Sequence, residues 1–218
     1  MNYLKSTVLT IIGMSGSGKT HLCRGLRGLG YEHVSCDDLI EVKLRLKLPK
    51  GGHSGIEGVA RWMGQPYEAG YALRQAAYLD AECEVVREIL TGMESGRHAK
   101  VVIDTTGSIV HIGEELCKAL QAISTMVYIE IPSVEVECLY EEYIKNPKPV
   151  VWGDNFHRKP NESTEAALSR CYREFFQFRR ALYEKYADIT IPTTQIRHGG
   201  SGPIAFLELL SAHLGQQC

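Results

Sequence analysis

The segment GMSGSGKT at residues 13–20 constrains the fold more than any other part of the sequence. It follows the apolar run Val8–Ile12 and leads into a helical pattern, which is the setting of a glycine-rich turn between a strand and a helix. Such a turn binds phosphate, because glycines let backbone N–H groups converge on the oxygens and the helix N-terminus adds the positive end of a dipole. The segment therefore predicts an α/β fold that binds a nucleotide.

The same segment predicts roles for individual side chains. In the pattern GxxxxGK[ST] the lysine reaches the β- and γ-phosphates and the following hydroxyl binds Mg²⁺, which here are Lys19 and Thr20. We therefore expect ATP and Mg²⁺ as cofactors, with Lys19 also catalytic. The predicted nucleotide-binding residues are Gly13, Ser15, Gly16, Ser17, Gly18, Lys19, Thr20 and His21.

Five short runs rich in Val and Ile predict strands, and helical patterns separate them. These runs are residues 8–12, 32–36, 100–105, 125–131 and 187–191. Strands that alternate with helices form βαβ units and a parallel sheet, with ligands beyond the carboxyl ends of the strands. We therefore predict a five-stranded parallel sheet flanked by helices, in a single domain over residues 1–218.

Charge and composition exclude several classes of partner. Lysine plus arginine number 24 against 26 aspartate plus glutamate, a net charge of −2, so neither nucleic acid nor an anionic membrane is an expected partner. The seven cysteines are scattered without a CxxC pair, which predicts neither disulfides nor a zinc site. The histidines outside the HRK cluster at residues 157–159 show no ligand spacing and are interpreted as surface or helix positions. No apolar run approaches the roughly 18 residues of a membrane span, and we expect a cytoplasmic protein whose oligomeric state the sequence leaves open.

Two adjacent carboxylates, Asp37 and Asp38, follow the second predicted strand. At the carboxyl end of a strand they are candidates to bind an acceptor hydroxyl, to act as its base, or to hold the metal through water. Either residue is equally a candidate N-cap for a helix over residues 39–46. We select Asp37 as the catalytic and acceptor-binding residue.

Asp104 follows the third predicted strand. A carboxylate beside a phosphate-binding turn polarises a water or hydroxyl on Mg²⁺, so Asp104 joins Thr20 as a predicted metal residue. The alternative is an Asx turn. Thr105, Thr106 and Gly107 are then expected to form a polar floor near the acceptor.

Two long helical patterns carry charged side chains on their apolar faces. In the first, over about residues 68–92, Glu82 lies within the apolar stripe and Arg74 near its edge, so the two are candidates to share an anionic ligand. A structural ion pair is the alternative for Glu82. In the second, over residues 163–186, Arg179 lies within about 40° of the centre of the stripe and is a candidate to bind a carboxylate or phosphate.

Three segments break the alternation of strands and helices. The glycine-rich segment 47–66 predicts a loop or broken helix and opens an acceptor-side insertion over residues 47–95. Residues 146–161, called the lid segment here, combine prolines with the HRK cluster, so we predict a mobile lid whose Arg158 closes over the phosphates. A polar turn over residues 195–202 precedes a final helix over residues 203–215.

These segments together resemble the shikimate kinase family, which is related to the nucleoside monophosphate kinases. The resemblance covers most of the chain and rests on GMSGSGKT, CDDLIE, EVVREIL, the basic lid segment and FRRALYEKYADITI. It implies a parallel sheet with a lid, the use of ATP and a small-molecule acceptor. It also implies that Asp37, with Glu41, binds the acceptor hydroxyl and that Arg179 binds the acceptor's carboxylate.

The resemblance places the family's long-helix glutamate at Glu82 and its lid arginine at Arg158. Its adenine-contacting turn falls on residues 197–203, ending at Pro203. The sequence departs from the family at Ser35, where a magnesium-associated aspartate is usual, and at residues 105–107, where three glycines are usual. The family's arginine just ahead of the glutamate is replaced by Leu79 and Asp80.

Three functions are compatible with these residues. The first is a kinase for a small, anionic hydroxyl compound, with shikimate as one candidate. The second, motivated by Ser35 and by the missing glycines, is an ATP-binding regulatory or interaction protein without transfer activity. The third is a nucleotide or nucleoside kinase, whose base pocket would involve Arg61 and Trp62 of the glycine-rich segment.

Overall fold

The computed structural model describes residues 7–48, 55–94, 100–198 and 202–215, and its centre is a parallel sheet of five strands. The strand order is β2-β3-β1-β4-β5, and every pairing is parallel. The strands are β1 (Val8–Ile12), β2 (Glu32–Ser35), β3 (Val101–Asp104), β4 (Thr125–Glu130) and β5 (Ile189–Pro192). The predicted fold class is confirmed, and all five predicted strands are present.

Helices cover both faces of the sheet, as its apolar strands require. The helices are α1 (Lys19–Arg27), α2 (Cys36–Leu44), α3 (Gly55–Met63), α4 (Tyr71–Glu94), α5 (Glu114–Ile123), α6 (Val136–Lys145), α7 (Thr164–Tyr186), α8 (Thr193–His198) and α9 (Pro203–Gly215). Two short 3₁₀ turns, Ile109–His111 and Ser133–Glu135, lie between them. Within the described residues, none of the helices combines the length and apolar character of a membrane span.

The two faces of the sheet form separate cores, because successive side chains of a strand point to opposite sides. In β1, Leu9 and Ile11 pack with residues of α1 and α9, while Val8 and Ile12 pack with residues of α2, α4, α5 and α7. Both faces of β1 are buried, which is typical of a central strand in a parallel sheet.

The start of α2 differs from the sequence prediction. The helix begins at Cys36, and Ser35 is its N-cap, with the Ser35 hydroxyl accepting a hydrogen bond from the Asp38 backbone N–H at 3.3 Å. The prediction that Asp37 or Asp38 caps a helix starting at residue 39 is therefore wrong. Because the serine caps the helix, the Asp37 side chain is not used for that purpose.

The acceptor-side insertion contains a helix in its described part. Residues 49–54 lie outside the described residues, but 55–63 form α3, whose Val59 and Met63 side chains are buried. This part of the segment 47–66 is therefore a packed helix, because its apolar residues supply one buried face. The next helix, α4, begins at Tyr71 rather than at residue 68.

The middle of the lid segment is anchored in the core. The Tyr71 hydroxyl donates to the Val150 carbonyl at 2.6 Å and accepts from the Trp152 backbone N–H at 3.0 Å. Trp152 is fully buried and stacks on Phe175 with 4.9 Å between ring centroids. The exposed part of the segment includes the HRK cluster at residues 157–159.

This anchoring predicts that Trp152 is essential for stability. We expect Trp152→Ala to lower the free energy of unfolding by about 3–5 kcal/mol, because it leaves a cavity among aromatic rings. Urea denaturation followed by circular dichroism measures the change.

The matched control is Leu73→Ala, since Leu73 is 78% exposed on α4 and its truncation leaves no cavity. We expect a change within about 0.5 kcal/mol for this control. Equal losses in the two variants would contradict the buried position of Trp152.

Candidate active site

The carboxyl ends of β1, β2 and β3 bring the predicted site residues to one edge of the sheet. In the parallel register, Ile11 pairs with Asp104, which in turn pairs with Ser35. The segments that follow these three residues therefore start side by side. They are the phosphate-binding segment, the start of α2 with Asp37, and residues 105–107.

The phosphate-binding segment has the backbone geometry that its glycines allow. Gly13, Gly16 and Gly18 have φ values of +141°, +87° and +91°, and a Cβ on Gly13 would lie 2.7 Å from the Ile129 carbonyl oxygen. Lys19 is 6% exposed, and its Nζ donates to the carbonyl of Gly13 at 2.8 Å and to that of Met14 at 3.0 Å. Burial lowers the pKa of Lys19, although Asp104 and Asp37 oppose the shift.

A cleft of about 420 Å³ joins this segment to the predicted acceptor residues, and we call it the phosphate cleft. Its lining residues include Ser15, Gly16, Gly18, Lys19, Thr20, His21, Asp37, Thr106, Gly107 and Lys148. The structure therefore brings most of the predicted phosphate-binding residues, though not Gly13 and Ser17, into one space with the predicted acceptor residues Asp37, Thr106 and Gly107.

Asp37 has the electrostatic setting of a proton acceptor. Burial raises its pKa to about 6, Lys19 acts in the opposite direction, and Asp104 adds a smaller rise. The carboxylate is therefore ionised at neutral pH while its pKa stays close to that pH. This is the range in which a general base is most effective.

Two buried polar atoms beside the phosphate-binding segment have no hydrogen-bond partner among the described residues. They are Oδ1 of Asp104 and the hydroxyl of Ser17, in residues that are 4% and 7% exposed. Buried polar atoms are normally satisfied, so this pair fits a bound group that supplies partners. Phosphate oxygens and the water shell of Mg²⁺ do so, and Thr20 offers its hydroxyl in the same cleft. The residues present therefore fit MgATP.

The other oxygen of Asp104 is held by a histidine. The Asp104 Oδ2 and the His33 Nε2 are 3.2 Å apart, across the β2–β3 pairing. Among the described residues no backbone N–H donates to the Asp104 side chain, so the Asx turn considered as the alternative is not formed. His33 is 12% exposed, and its interpretation as a surface position is wrong.

Glu82 is fully buried and supports the floor of the phosphate cleft from behind. Thr106 and Ser108 donate their hydroxyls to its two carboxylate oxygens, the latter at 2.7 Å. Burial raises the pKa of Glu82 to about 7, against the opposing effect of the two hydroxyls. No arginine, lysine or histidine of the described residues pairs with it, so the structural ion pair considered as the alternative is absent there.

Arg179 is buried beside Ser15 and Gly107. Its Nη2 donates to the Val151 carbonyl at 3.0 Å, its Nε donates to the His111 Nε2 at 3.2 Å, and its guanidinium stacks on Phe175. A Cβ on Gly107 would lie 3.2 Å from Nη1, so glycine is what lets the loop approach the guanidinium.

No carboxylate of the described chain lies within 4.0 Å of the Arg179 guanidinium, although the residue is only 2% exposed. Arg179 lines a smaller cavity of about 100 Å³, which shares Ser15, Gly16 and Lys148 with the phosphate cleft. A buried cation without an ion pair at the wall of a cavity is suited to an anionic ligand.

Two predicted site residues do not reach the phosphate cleft. Arg74 donates to the carbonyls of Met63 and Ala69 at 2.9 and 3.1 Å, so it fixes the turn between α3 and α4 instead of sharing a ligand with Glu82. Arg158 donates to the Glu162 carbonyl at 2.8 Å, close to the start of α7. About 22 Å of helix separates that start from Arg179, at 1.5 Å per residue.

The lid cation that lines the phosphate cleft is Lys148, which the sequence analysis did not select. It lies between Pro147 and Pro149. The two prolines are the only sequence signal for it, because they restrict the backbone on both sides of the lysine.

His111 is the other functional candidate that sequence reasoning missed. It lies in the first 3₁₀ turn, its ring packs with Phe175 and Phe178, and it accepts the hydrogen bond from Arg179. Burial, followed by the charge of Arg179, lowers its pKa to about 3, so the ring is neutral at physiological pH. Its interpretation as a surface or helix position did not anticipate the hydrogen bond from Arg179.

A larger cavity of about 710 Å³ also borders the phosphate-binding segment. Its lining residues include Gly16, Gly18, His21, Arg24, Gly25, Ile129, Thr193, Ile196 and Pro203. Pro203 packs against Gly25, where a Cβ would lie 3.1 Å from the proline ring. Residues 199–201 of the predicted adenine-contacting turn lie outside the described residues, but Pro203 lines this cavity as that prediction requires.

The buried Glu82 predicts a dependence of stability on pH. An unfolded glutamate titrates near pH 4.5 and Glu82 near 7, so between these values the folded chain holds a proton that the unfolded chain has lost. The free energy of unfolding therefore falls as the pH rises through this window, by up to about 1.4 kcal/mol per pH unit from this group.

Glu82→Gln removes this contribution, and we expect a flatter pH dependence in urea denaturation between about pH 5 and 7. Glu115→Gln, on the exposed face of α5, is the control and keeps the wild-type slope. An unchanged slope in Glu82→Gln would contradict the raised pKa.

Comparisons with known proteins identify the fold. No protein-family model and no curated protein match the chain. Among solved structures, it is similar to a shikimate kinase from Acinetobacter baumannii in complex with shikimate, with 21% identity, a TM-score of 0.63, and coverage of 97% of this chain and 95% of that chain. It is also similar to the shikimate kinase from Aquifex aeolicus, with 21% identity, a TM-score of 0.54, and coverage of 96% and 98%.

A dephospho-CoA kinase from Campylobacter jejuni is similar over 98% of this chain and 100% of that chain, with 13% identity and a TM-score of 0.54. At these identities the likeness concerns the fold. The chain has the fold of the P-loop kinases.

Proposed function

We propose that this protein is a small-molecule kinase that transfers the γ-phosphoryl group of ATP to a hydroxyl of a small, anionic acceptor. The observation that carries the proposal is that Asp37 lines the same cleft as Lys19 and Thr20. A carboxylate with a pKa of about 6 that faces a phosphate-binding segment across one cleft is suited to accept a proton from an attacking hydroxyl. A nucleotide-dependent switch has no need of such a group.

The ATP site extends from the 710 Å³ cavity to the phosphate cleft. The cavity accommodates adenosine next to Pro203 and Thr193, and the triphosphate follows the backbone of residues 13–20. Lys19 leaves the carbonyls of its own loop to bind the β- and γ-phosphates. Thr20 and Asp104 would hold Mg²⁺, and the ion would neutralise charge on the transferred group.

The acceptor occupies the phosphate cleft beside Asp37. Thr106 and Gly107 form its floor, and Glu82 fixes the orientation of Thr106. As the acceptor oxygen bonds to the γ-phosphorus, the bond from that phosphorus to the β–γ bridging oxygen breaks, ADP leaves and Asp37 takes the hydroxyl proton. Lys148 from the lid segment supplies positive charge opposite Asp37.

The acceptor class is supported by the cations around the cleft. Lys148 lines both the phosphate cleft and the cavity of about 100 Å³ that contains Arg179 in its wall. An acceptor in the cleft that carries a carboxylate would therefore contact both residues. The Acinetobacter structure contains shikimate, a hydroxy acid of this kind. Shikimate is therefore the first acceptor to test.

One observation favours the second candidate, an ATP-binding protein without transfer activity. Ser35 uses its hydroxyl to cap α2, so this position contributes no carboxylate to the metal. The third candidate, a nucleoside kinase, gains no support from Trp62, which packs partly buried against the core.

The role of Asp37 predicts a large loss of turnover in Asp37→Asn. The assay is ADP release from MgATP with a panel of hydroxy acids, shikimate included, and nucleosides, with Lys19→Ala as the blank. With the acceptor that stimulates release, we expect kcat to fall about 10²- to 10⁴-fold while ATP binding is unchanged.

The control for this variant is Asp80→Asn, an exposed carboxylate on α4, which keeps the wild-type rate. If wild type binds ATP but no acceptor raises ADP release above the blank, the proposed kinase activity is wrong and the regulatory candidate takes its place.

The positions of Lys148 and Arg158 in the lid segment predict different kinetic effects when each is replaced by alanine. Lys148→Ala should raise the KM of the acceptor and lower kcat, by roughly 10-fold or more in kcat/KM, because Lys148 lines the phosphate cleft. Arg158→Ala should leave both constants near wild type, because Arg158 is bonded to the Glu162 carbonyl. The opposite ranking of the two variants would show that the lid segment rearranges to bring Arg158 to the phosphates.

A further inference from the structure

Cys23, His33 and Asp104 lie together beneath the phosphate-binding segment, each on a different element. Cys23 comes from α1, His33 from β2 and Asp104 from the end of β3. Their Sγ, imidazole nitrogen and carboxylate oxygen all lie within 4.8 Å of one another. The residues are 10 and 71 positions apart in the sequence, which is why no ligand spacing is visible there.

The three side chains form a mixed sulfur, nitrogen and oxygen donor set. Thiolate and imidazole ligands select zinc and similar divalent ions, which four ligands commonly surround as a tetrahedron. Magnesium prefers oxygen ligands and octahedral geometry, so this donor set does not suit it. The set therefore differs in chemistry from the magnesium position near Thr20.

The burial and the hydrogen bonds of these three side chains favour a bound cation. Cys23 is fully buried, Asp104 is 4% exposed, and the His33 side chain, at 12% exposure, is the most accessible of the three. One carboxylate oxygen of Asp104 has no hydrogen-bond partner in the described part of the chain. A buried carboxylate with an unsatisfied oxygen gains from a cation more than a fully bonded one does.

We propose that Cys23, His33 and Asp104 bind one divalent cation of the zinc class, with water as the fourth ligand. The ion takes the place of the hydrogen bond between His33 and Asp104.

The binding step balances in charge and in protons. The Cys23 thiol gives up its proton to solvent, and His33 binds through Nε2 with its remaining proton on Nδ1. One doubly charged cation then faces one thiolate and one carboxylate, so the buried site is neutral. Burial, with Asp104 next to it, raises the pKa of the free Cys23 thiol, and a bound metal ion offsets this by stabilising the thiolate.

Binding at this position has a consequence for catalysis that rests on the proposed function. Asp104 is the carboxylate expected to act on magnesium, and the proposed ion takes the same side chain as a ligand. The ion therefore inhibits phosphoryl transfer by withdrawing Asp104 from the magnesium site, even with MgATP in excess.

Cobalt spectroscopy tests the site without any need for activity. The full chain is stripped of metal with a chelator and titrated with Co²⁺, whose thiolate charge-transfer absorption in the near ultraviolet reports a Co–S bond. We expect one Co²⁺ per chain, displaced by Zn²⁺, and loss of the band in Cys23→Ser. His33→Gln is expected to weaken binding at least about 10-fold, as even outer-shell changes do at metal sites.

The matched control is Cys171→Ser. Cys171 belongs to a second group with His157 and Glu174, but Arg170 donates to the His157 carbonyl at 2.8 Å and pairs with Glu174, so a cation already occupies that group. The control is expected to keep the Co²⁺ band. Loss of the band in Cys171→Ser, or equal affinity of wild type and Cys23→Ser, would overturn the proposal.

Two further measurements show whether the Cys23→Ser variant is folded and whether Zn²⁺ inhibits through this site. ATP binding by metal-free Cys23→Ser at the wild-type affinity shows that this variant is folded. Should an acceptor be found, Zn²⁺ is expected to lower kcat in wild type and to have at least about 10-fold less effect in His33→Gln. If the protein shows the Co²⁺ band but no transfer activity, the metal site is supported and only the proposed kinase activity is rejected. If Zn²⁺ lowers kcat equally in wild type and in His33→Gln, the proposed inhibition through this site is rejected.

Discussion

The parallel pairing of β1 with β3 is the interaction on which the rest of the site depends. It continues past the strand ends, because both the backbone N–H and the side-chain hydroxyl of Thr105 donate to the Ile11 carbonyl, at 3.3 and 2.7 Å. Residues 105–107 are therefore held beside the phosphate-binding segment. A Cβ on Gly107 would lie 3.0 Å from the Ser15 hydroxyl, so the two loops are in contact.

The charged side chains around these two loops are mostly buried, and burial changes their pKa values. Burial is the largest cause of the pKa shifts of Lys19, Asp37 and Glu82, and the charge of Asp37 acts on both Lys19 and Glu82. Burial disfavours the charged form of these three groups, so a ligand that brings opposite charge is bound in a setting of low polarity. In the proposed function, the nucleotide would bring negative charge to Lys19, and magnesium would bring positive charge to Asp104.

The sequence predicted the fold and the centre of the site well, because both depend on periodic or contiguous patterns. The β-branched runs located all five strands, and the glycine-rich segment located one wall of the phosphate cleft. Arg74 and Arg158 lie away from the phosphate cleft for a physical reason. A long guanidinium near a chain turn finds backbone carbonyls close by, as both residues do, and no helical periodicity reveals that choice. Lys148 and His33 were missed because their neighbours come from distant parts of the chain.

The position of Lys148 follows from the core rather than from the lid segment's own sequence. Val151 accepts a hydrogen bond from Arg179, and Val150 accepts one from Tyr71, so the backbone two residues beyond Lys148 is fixed on two sides. Arg179 therefore serves the fold and the site together. Its Nη2 donates to the lid segment and its Nε donates to His111. Its Nη1 lies beside Gly107, which lines the phosphate cleft. In the proposed function, an acceptor anion would therefore meet Arg179 through one nitrogen rather than through a two-nitrogen fork, and Lys148 would supply the second positive charge. The anchored backbone at Val150 and Val151 thus holds Lys148 at the phosphate cleft.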